Sequence, residues 1–121
     1  MEKTLVAMQH KLQEVQEREL LETGFQPAES DAFNKLKAEL SNLTFDANLP
    51  ELAYKFVSLL KEEQFDAVLL PIGSPAFNFL LAQQLAQLKI VVLFAHSERI
   101  VSSADDGTKT VKFVHQGFIL L

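Results

Sequence analysis

Three short stretches of this chain hold side chains that can move protons or grip an anion. Gln9-His10-Lys11 sets a histidine, which titrates near neutral pH, beside a lysine point charge. His96-Ser97-Glu98-Arg99 offers an arginine that can hold a phosphate through two parallel N–H donors, next to a glutamate that can pair with it or orient a hydroxyl. Gly73-Ser74 makes a turn into a helix, where free backbone N–H groups attract anions. The chemistry these types share is work on a phosphate: charge from Lys11 and Arg99, proton transfer at His10, amide donors at Gly73 and Ser74. Each stretch also has a plainer reading, as a surface helix start, a solvated strand edge and an ordinary capped turn.

Other chemistries lack their residues. There is no cysteine, hence no disulfide framework, zinc–thiolate site or cysteine nucleophile. Ser74 has no GxSxG context, and the Gly73 turn has neither a Walker lysine nor a GxGxxG run. The three histidines are far apart and show no HxxxH or HExxH spacing, so neither a metal site nor a cofactor is expected. His115, among apolar residues, reads as a satisfied core or sheet-face histidine.

Net charge is −5, and it sits in one half. Residues 1–64 carry 12 acids and 7 bases, whereas residues 65–121 carry 4 of each. That balance argues against a platform for duplex nucleic acid but leaves room for a small anion held by a few bases. Hydrophobic residues make up 48% and charged residues 22%, ordinary for a globular domain, and 121 residues suit a single domain with one core. No apolar run is long enough to span a bilayer and Met1-Glu2-Lys3 begins no signal-peptide pattern, so a cytoplasmic location without membrane contact is expected.

The elements that must position these groups centre on Phe65–Val101. Ala67–Leu70 is a short buried strand, Ser74 and Pro75 suit a helix cap and first turn, and Phe77, Leu80, Leu81, Leu85 and Leu88 recur at helical spacing. Ile90–Phe94 is the next buried strand. Together they form a βαβ unit with parallel strands. Before it, Thr4–Met8 reads as a first strand, and Leu12, Val15, Glu19 and Leu20 begin a helix that Gly24 stops. Phe25–Ser30 is a connector with room for a short strand. Ser30 or Asp31 caps a helix to about Leu40, and Asn48 caps another that ends near Gln64. After the unit, Ser97–Ser103 and Thr108–Phe118 form a hairpin with an Asp106-Gly107 turn. The apolar tail Phe118–Leu121 is either buried or paired with a partner. The fold class is α/β: an open sheet of parallel strands with flanking helices and a C-terminal β-hairpin. Ligands bind such sheets outside the C-terminal strand ends, where Gln9–Lys11, Ile72–Ser74 and Ala95–Arg99 should converge.

The order of these motifs resembles the small CRISPR-associated accessory proteins of the Csx-twenty type. A Ser-His-Lys-Leu-like segment ends their first strand, here Met8-Gln9-His10-Lys11-Leu12. A Gly-containing turn into a helix follows, here within Val68–Phe79. A Thr-Glu-Arg-Val-like segment comes next, here Ser97-Glu98-Arg99-Ile100. An Asp-Gly turn and a Lys/Phe-x-His strand close the series, here Asp106-Gly107 and Lys112-Phe113-Val114-His115. Two features depart from that pattern: the turn Pro71-Ile72-Gly73-Ser74-Pro75 is stiffer, and the chain ends in Ile119-Leu120-Leu121 rather than a basic or aromatic tail. The resemblance implies a Rossmann-like, CARF-like sheet. It also implies a homodimer that binds cyclic oligoadenylate, the second messenger of type III CRISPR defence. Cleavage by a ring nuclease without metal would then switch the response off. His10, Lys11 and Arg99 would be catalytic, and Gln9, Gly73, Ser74, His96, Ser97 and Glu98 would hold the ligand. Two further readings stand beside it: a binder that only sequesters the messenger, and a Rossmann-like protein-interaction module.

Overall fold

The computed structural model describes residues 1–8, 11–44 and 46–121, with Phe113 by its backbone alone. Five strands and four helices follow one another as β1 (Glu2–Val6), α1 (Glu14–Glu22), β2 (Phe25–Ala28), α2 (Asp31–Leu40), α3 (Leu49–Glu62), β3 (Ala67–Leu70), α4 (Pro75–Leu85), β4 (Val91–Ser103) and β5 (Lys109–Leu120). They form one sheet in the order β2-β1-β3-β4-β5. The first four strands are parallel, and β5 closes the edge antiparallel to β4. Strands β1, β3 and β4 are thus parallel neighbours, as the βαβ pattern requires. Among the described residues no helix is long and apolar enough to cross a membrane.

The helices start where their caps stand. Ser30 accepts the Phe33 N–H at 3.0 Å, Asn48 the Glu51 N–H at 3.2 Å and Ser74 the Phe77 N–H at 3.2 Å. Gly24, at φ 95°, ends the first helical segment in a conformation that glycine adopts without strain. Helix α1 begins two residues later than its apolar pattern suggests. Gln13 is its cap, and the Gln13 N–H donates to Gln16 Oε1 at 3.0 Å. That bond turns Gln16 and Leu20 inward and leaves Val15 in solvent.

The sheet divides the core in two. Alternate side chains of β3 supply both halves, which is why the whole strand is buried: Val68 and Leu70 pack against α2, α3 and α4, whereas Leu69 joins Leu20 of α1, Met8 and Leu93. Phe33, Phe56 and Phe77 meet edge to face in the first half, so Phe77 is packing. The second half has a single nine-residue helix. Such a helix is roughly 13 Å long and 10 Å across, while five strands span about 20 Å.

One expectation about the strands is corrected. The two strands expected at Ile90–Phe94 and Ser97–Ser103 are one, Val91–Ser103, which runs through Ala95 and His96. The polar residues do not end β4, because β5 continues to pair with it across a bulge between His96 and Ser97. Strand β3 pairs only with Val91–Phe94, so from Ala95 outward β4 and β5 run as a two-stranded ribbon, about 30 Å long at the usual rise per residue. The turn at its tip lies where Asp-Gly marks it. Ala104 N–H donates to Thr108 O at 2.8 Å, and Gly107 has φ 86°.

Candidate functional site

The strand order reverses its direction of growth between β1 and β3. From β1 the chain passes to β2 on one side, and from β2 it crosses back to β3 on the other. In open α/β sheets the crevice at such a point, beyond the C-terminal strand ends, is where ligands sit. Here it is a cleft of about 530 Å³, a volume within the range of small-molecule sites, roughly 300–1,000 Å³. Met8 and Lys11 line it after β1, Pro71, Ile72 and Gly73 after β3, Ala95 and Ser97 on β4, His115 on β5, and Gln13 and Gln16 at the start of α1. A second cleft of about 590 Å³ adjoins it between α1 and α2 and shares Met8 and Lys11. A larger hollow of about 910 Å³ between α3 and α4 lies away from the strand ends.

The loop after β3 is rigid by construction. The Asn78 side chain, buried on α4, accepts the Ile72 N–H at 2.9 Å and donates to Ile72 O at 2.7 Å and Ser74 O at 2.8 Å. Gly73 sits inside this clamp at φ 64°, and a Cβ there would stand 3.3 Å from Leu40 O. Both facts favour glycine. Pro71 and Pro75 have no N–H, and the Ile72 and Phe77 N–H groups are taken by Asn78 and Ser74. Among the described residues no acceptor meets the N–H groups of Gly73 and Ser74.

The three sequence stretches converge only in part. Lys11, Gly73 and Ser97 line the cleft. Ser74 serves as the α4 cap. Ser97 and Arg99 share a ribbon face, because side chains two apart on a strand point the same way, but Arg99 stands about 7 Å further out and is exposed. Glu98 lies on the opposite face, and His96 is exposed beside the bulge. Gln9 and His10 fall outside the described residues.

One polar cluster at the cleft wall is one that the spacing did not mark as chemical. His115 is the cross-strand partner of Ser97. Its Nε2 lies 2.9 Å from Glu19 Oε2 and its Nδ1 3.3 Å from Gln16 Nε2. The Phe118 ring packs on it with centroids 4.8 Å apart. So His115 is a satisfied sheet-face histidine, as its surroundings suggested, but the groups that satisfy it are polar and stand at a cleft wall. The only trace in the sequence is the Gln16–Glu19 spacing of three, which places both on one face of α1. The Glu-rich composition of that helix hides it.

A family model described as "Uncharacterized protein MJ1673 family" matches residues 2–119. The chain belongs to that family. The match takes in every strand and helix of the sheet, including the ribbon. No curated protein and no solved structure matches the chain.

Proposed function

We propose that this member of the MJ1673 family binds cyclic oligoadenylate, cyclic tetra-adenylate in the first instance, and cleaves it as a metal-independent ring nuclease. In that role it switches off type III CRISPR signalling. The observation that carries the reading is the cleft at the β1/β3 reversal, where Lys11, Ser97 and His115 meet beside the rigid Gly73 loop. The order of motifs along the chain supplies the ligand class.

The reaction needs geometry more than reactive groups. A ribose 2′-OH attacks the adjoining phosphorus in line with the departing 5′-oxygen. The P–O2′ bond forms, the P–O5′ bond breaks, and a ring opens. Lys11 stabilises the charge that gathers on the phosphoryl oxygens. Arg99 reaches the same phosphate from the rim if the ribbon bends over it. His10, next to Lys11 in sequence, gives a proton to the leaving oxygen. The Gly73 and Ser74 amides hold a neighbouring phosphate, and the Asn78 clamp spares them reorganisation on binding.

The active species is a homodimer. Beyond Ser97 and His115 the ribbon is bare on both faces, which is marginal in water for two strands, and it exposes Ile100, Val101, Val111 and Val114. A second copy covers them, and a two-fold axis doubles each set of ligand groups for a ligand that is itself symmetric.

Incubation with radiolabelled cyclic tetra-adenylate in excess EDTA tests this. Linear products support the enzyme. A gel shift without products reduces the protein to a sequestering binder. Absence of any interaction removes both readings and leaves the interaction module.

A further inference from the structure

We infer that Glu19 and His115 are the acid–base pair of the cleft, with His115 Nδ1 as the atom that takes the 2′-OH proton. The inference rests on the ring-nuclease reading and deepens it, since that reading left the base unassigned.

The bond pattern fixes the resting state of the imidazole. The Gln13 N–H donates to Gln16 Oε1, so the Gln16 amide cannot turn over without losing the cap of α1. Its Nε2 therefore faces His115 Nδ1 as a donor. Nδ1 must be the bare nitrogen, and the ring proton sits on Nε2, where it donates to Glu19 Oε2 at 2.9 Å. This is the arrangement a histidine base requires: one nitrogen free to accept, the other held by a carboxylate that steadies the ring once it becomes charged. The side chain of His115 is only 9% exposed, and the Phe118 ring packs against it at a tilt, so the ring has little room to rotate.

Nδ1 also points to where a substrate comes. Gln16 and His115 both line the cleft. The contact between them, at 3.3 Å, is longer than a well-made N–H···N bond, so a hydroxyl that donates to Nδ1 exchanges with Gln16 at little cost. The charged groups around the ring are Glu19 from α1 and Lys11 from the loop after β1, and β4 presents the uncharged Ser97 opposite it. In the step, the 2′-oxygen bonds to phosphorus and its proton passes to Nδ1. The imidazolium that results is held by Glu19, and the 5′-oxygen leaves with the proton that the ring-nuclease reading assigns to His10, which regains one from water. His115 then returns its proton to water.

The test pairs single-turnover cleavage of cyclic tetra-adenylate in EDTA with binding of its 2′-O-methyl analogue, which cannot be cleaved. H115Q should slow cleavage at least 100-fold, the usual scale of a lost general base, with affinity for the analogue within threefold of wild type. E19Q should slow it about tenfold or more, and E19D should recover part of the loss. Glu19 is a partly exposed side chain, so E19Q decides the matter if H115Q does not fold. Nitrogen-15 imidazole spectra of the wild-type protein near neutral pH should show the proton on Nε2. Cleavage within threefold of wild type in folded E19Q and H115Q, or a proton on Nδ1, overturns the pair and leaves the nuclease. No cleavage by the wild-type protein removes both.

Discussion

Asn78 does with one side chain what a Gly-rich phosphate loop does with many glycines. Its amide supplies a donor and an acceptor to Ile72 and a second donor bond to Ser74 O, so the turn after β3 keeps its shape without a ligand. Removal of a partner from a buried N–H costs its full desolvation, about 1–3 kcal/mol per group. N78A should therefore lower stability by roughly 3 kcal/mol in urea denaturation, and N78D, which keeps the acceptor but sets a buried carboxylate oxygen against Ile72 O and Ser74 O, by at least as much. Equal, negligible losses in both would mean that the loop is held by packing alone. The turn itself was legible, because Gly73, Ser74 and Pro75 each have one local use. The clamp was not. Nothing in the Asn78 neighbourhood in sequence distinguishes it from the polar positions of an ordinary helix, and its partners are fixed only when the loop folds back over α4.

The ribbon is the element that sequence reasoning divided wrongly, and the reason lies in its surroundings. A strand buried on both faces shows itself by an unbroken apolar run, as β3 does. A ribbon exposed to solvent needs no such run, so the apolar stretch to Phe94 and the polar stretch from Ser97 looked like two strands when one strand runs through Ala95 and His96. The Asp-Gly turn was readable because it depends on Gly107 alone. Its conformation is also tied to charge. The Asp106 carboxylate accepts from Thr108, first through the side chain and then through the backbone N–H, and this holds its pKa below the usual carboxylate range. A carboxyl whose pKa falls on folding contributes stability above its unfolded value and loses it as the pH drops through the folded one. The tip should therefore loosen only in acid. In a pH series of amide spectra, the Thr108 N–H signal should titrate below the ordinary aspartate range and stay still in D106N. A signal unmoved by acid in the wild-type protein would show that the bond to Asp106 does not order the turn.

On the scale of the whole molecule, the parallel β1, β3 and β4, the caps of α2, α3 and α4 and the helices on the sheet's faces followed from period and turn residues, because each is set by neighbours in sequence, whereas the place of β2 in the sheet and the Gln13 cap did not. The site followed only in outline. Lys11, Gly73 and Ser97 reach one cleft by the general rule for strand ends, whereas Glu19 and His115 come from the two flanks of the sheet, and no spacing reveals a contact across 96 residues. The ribbon sets the expected assembly. V101D with V111D, which charges one face of it, should convert a dimer to a monomer by light scattering while far-ultraviolet circular dichroism stays unchanged, and a wild-type monomer at micromolar concentration would contradict the assembly. The account as a whole stands on one reaction. Cyclic tetra-adenylate held with the wild-type protein in EDTA should be converted to linear oligoadenylate, and K11A should slow that conversion at least tenfold, as loss of one transition-state donor does. A ring that stays closed through many hours at excess protein would contradict it.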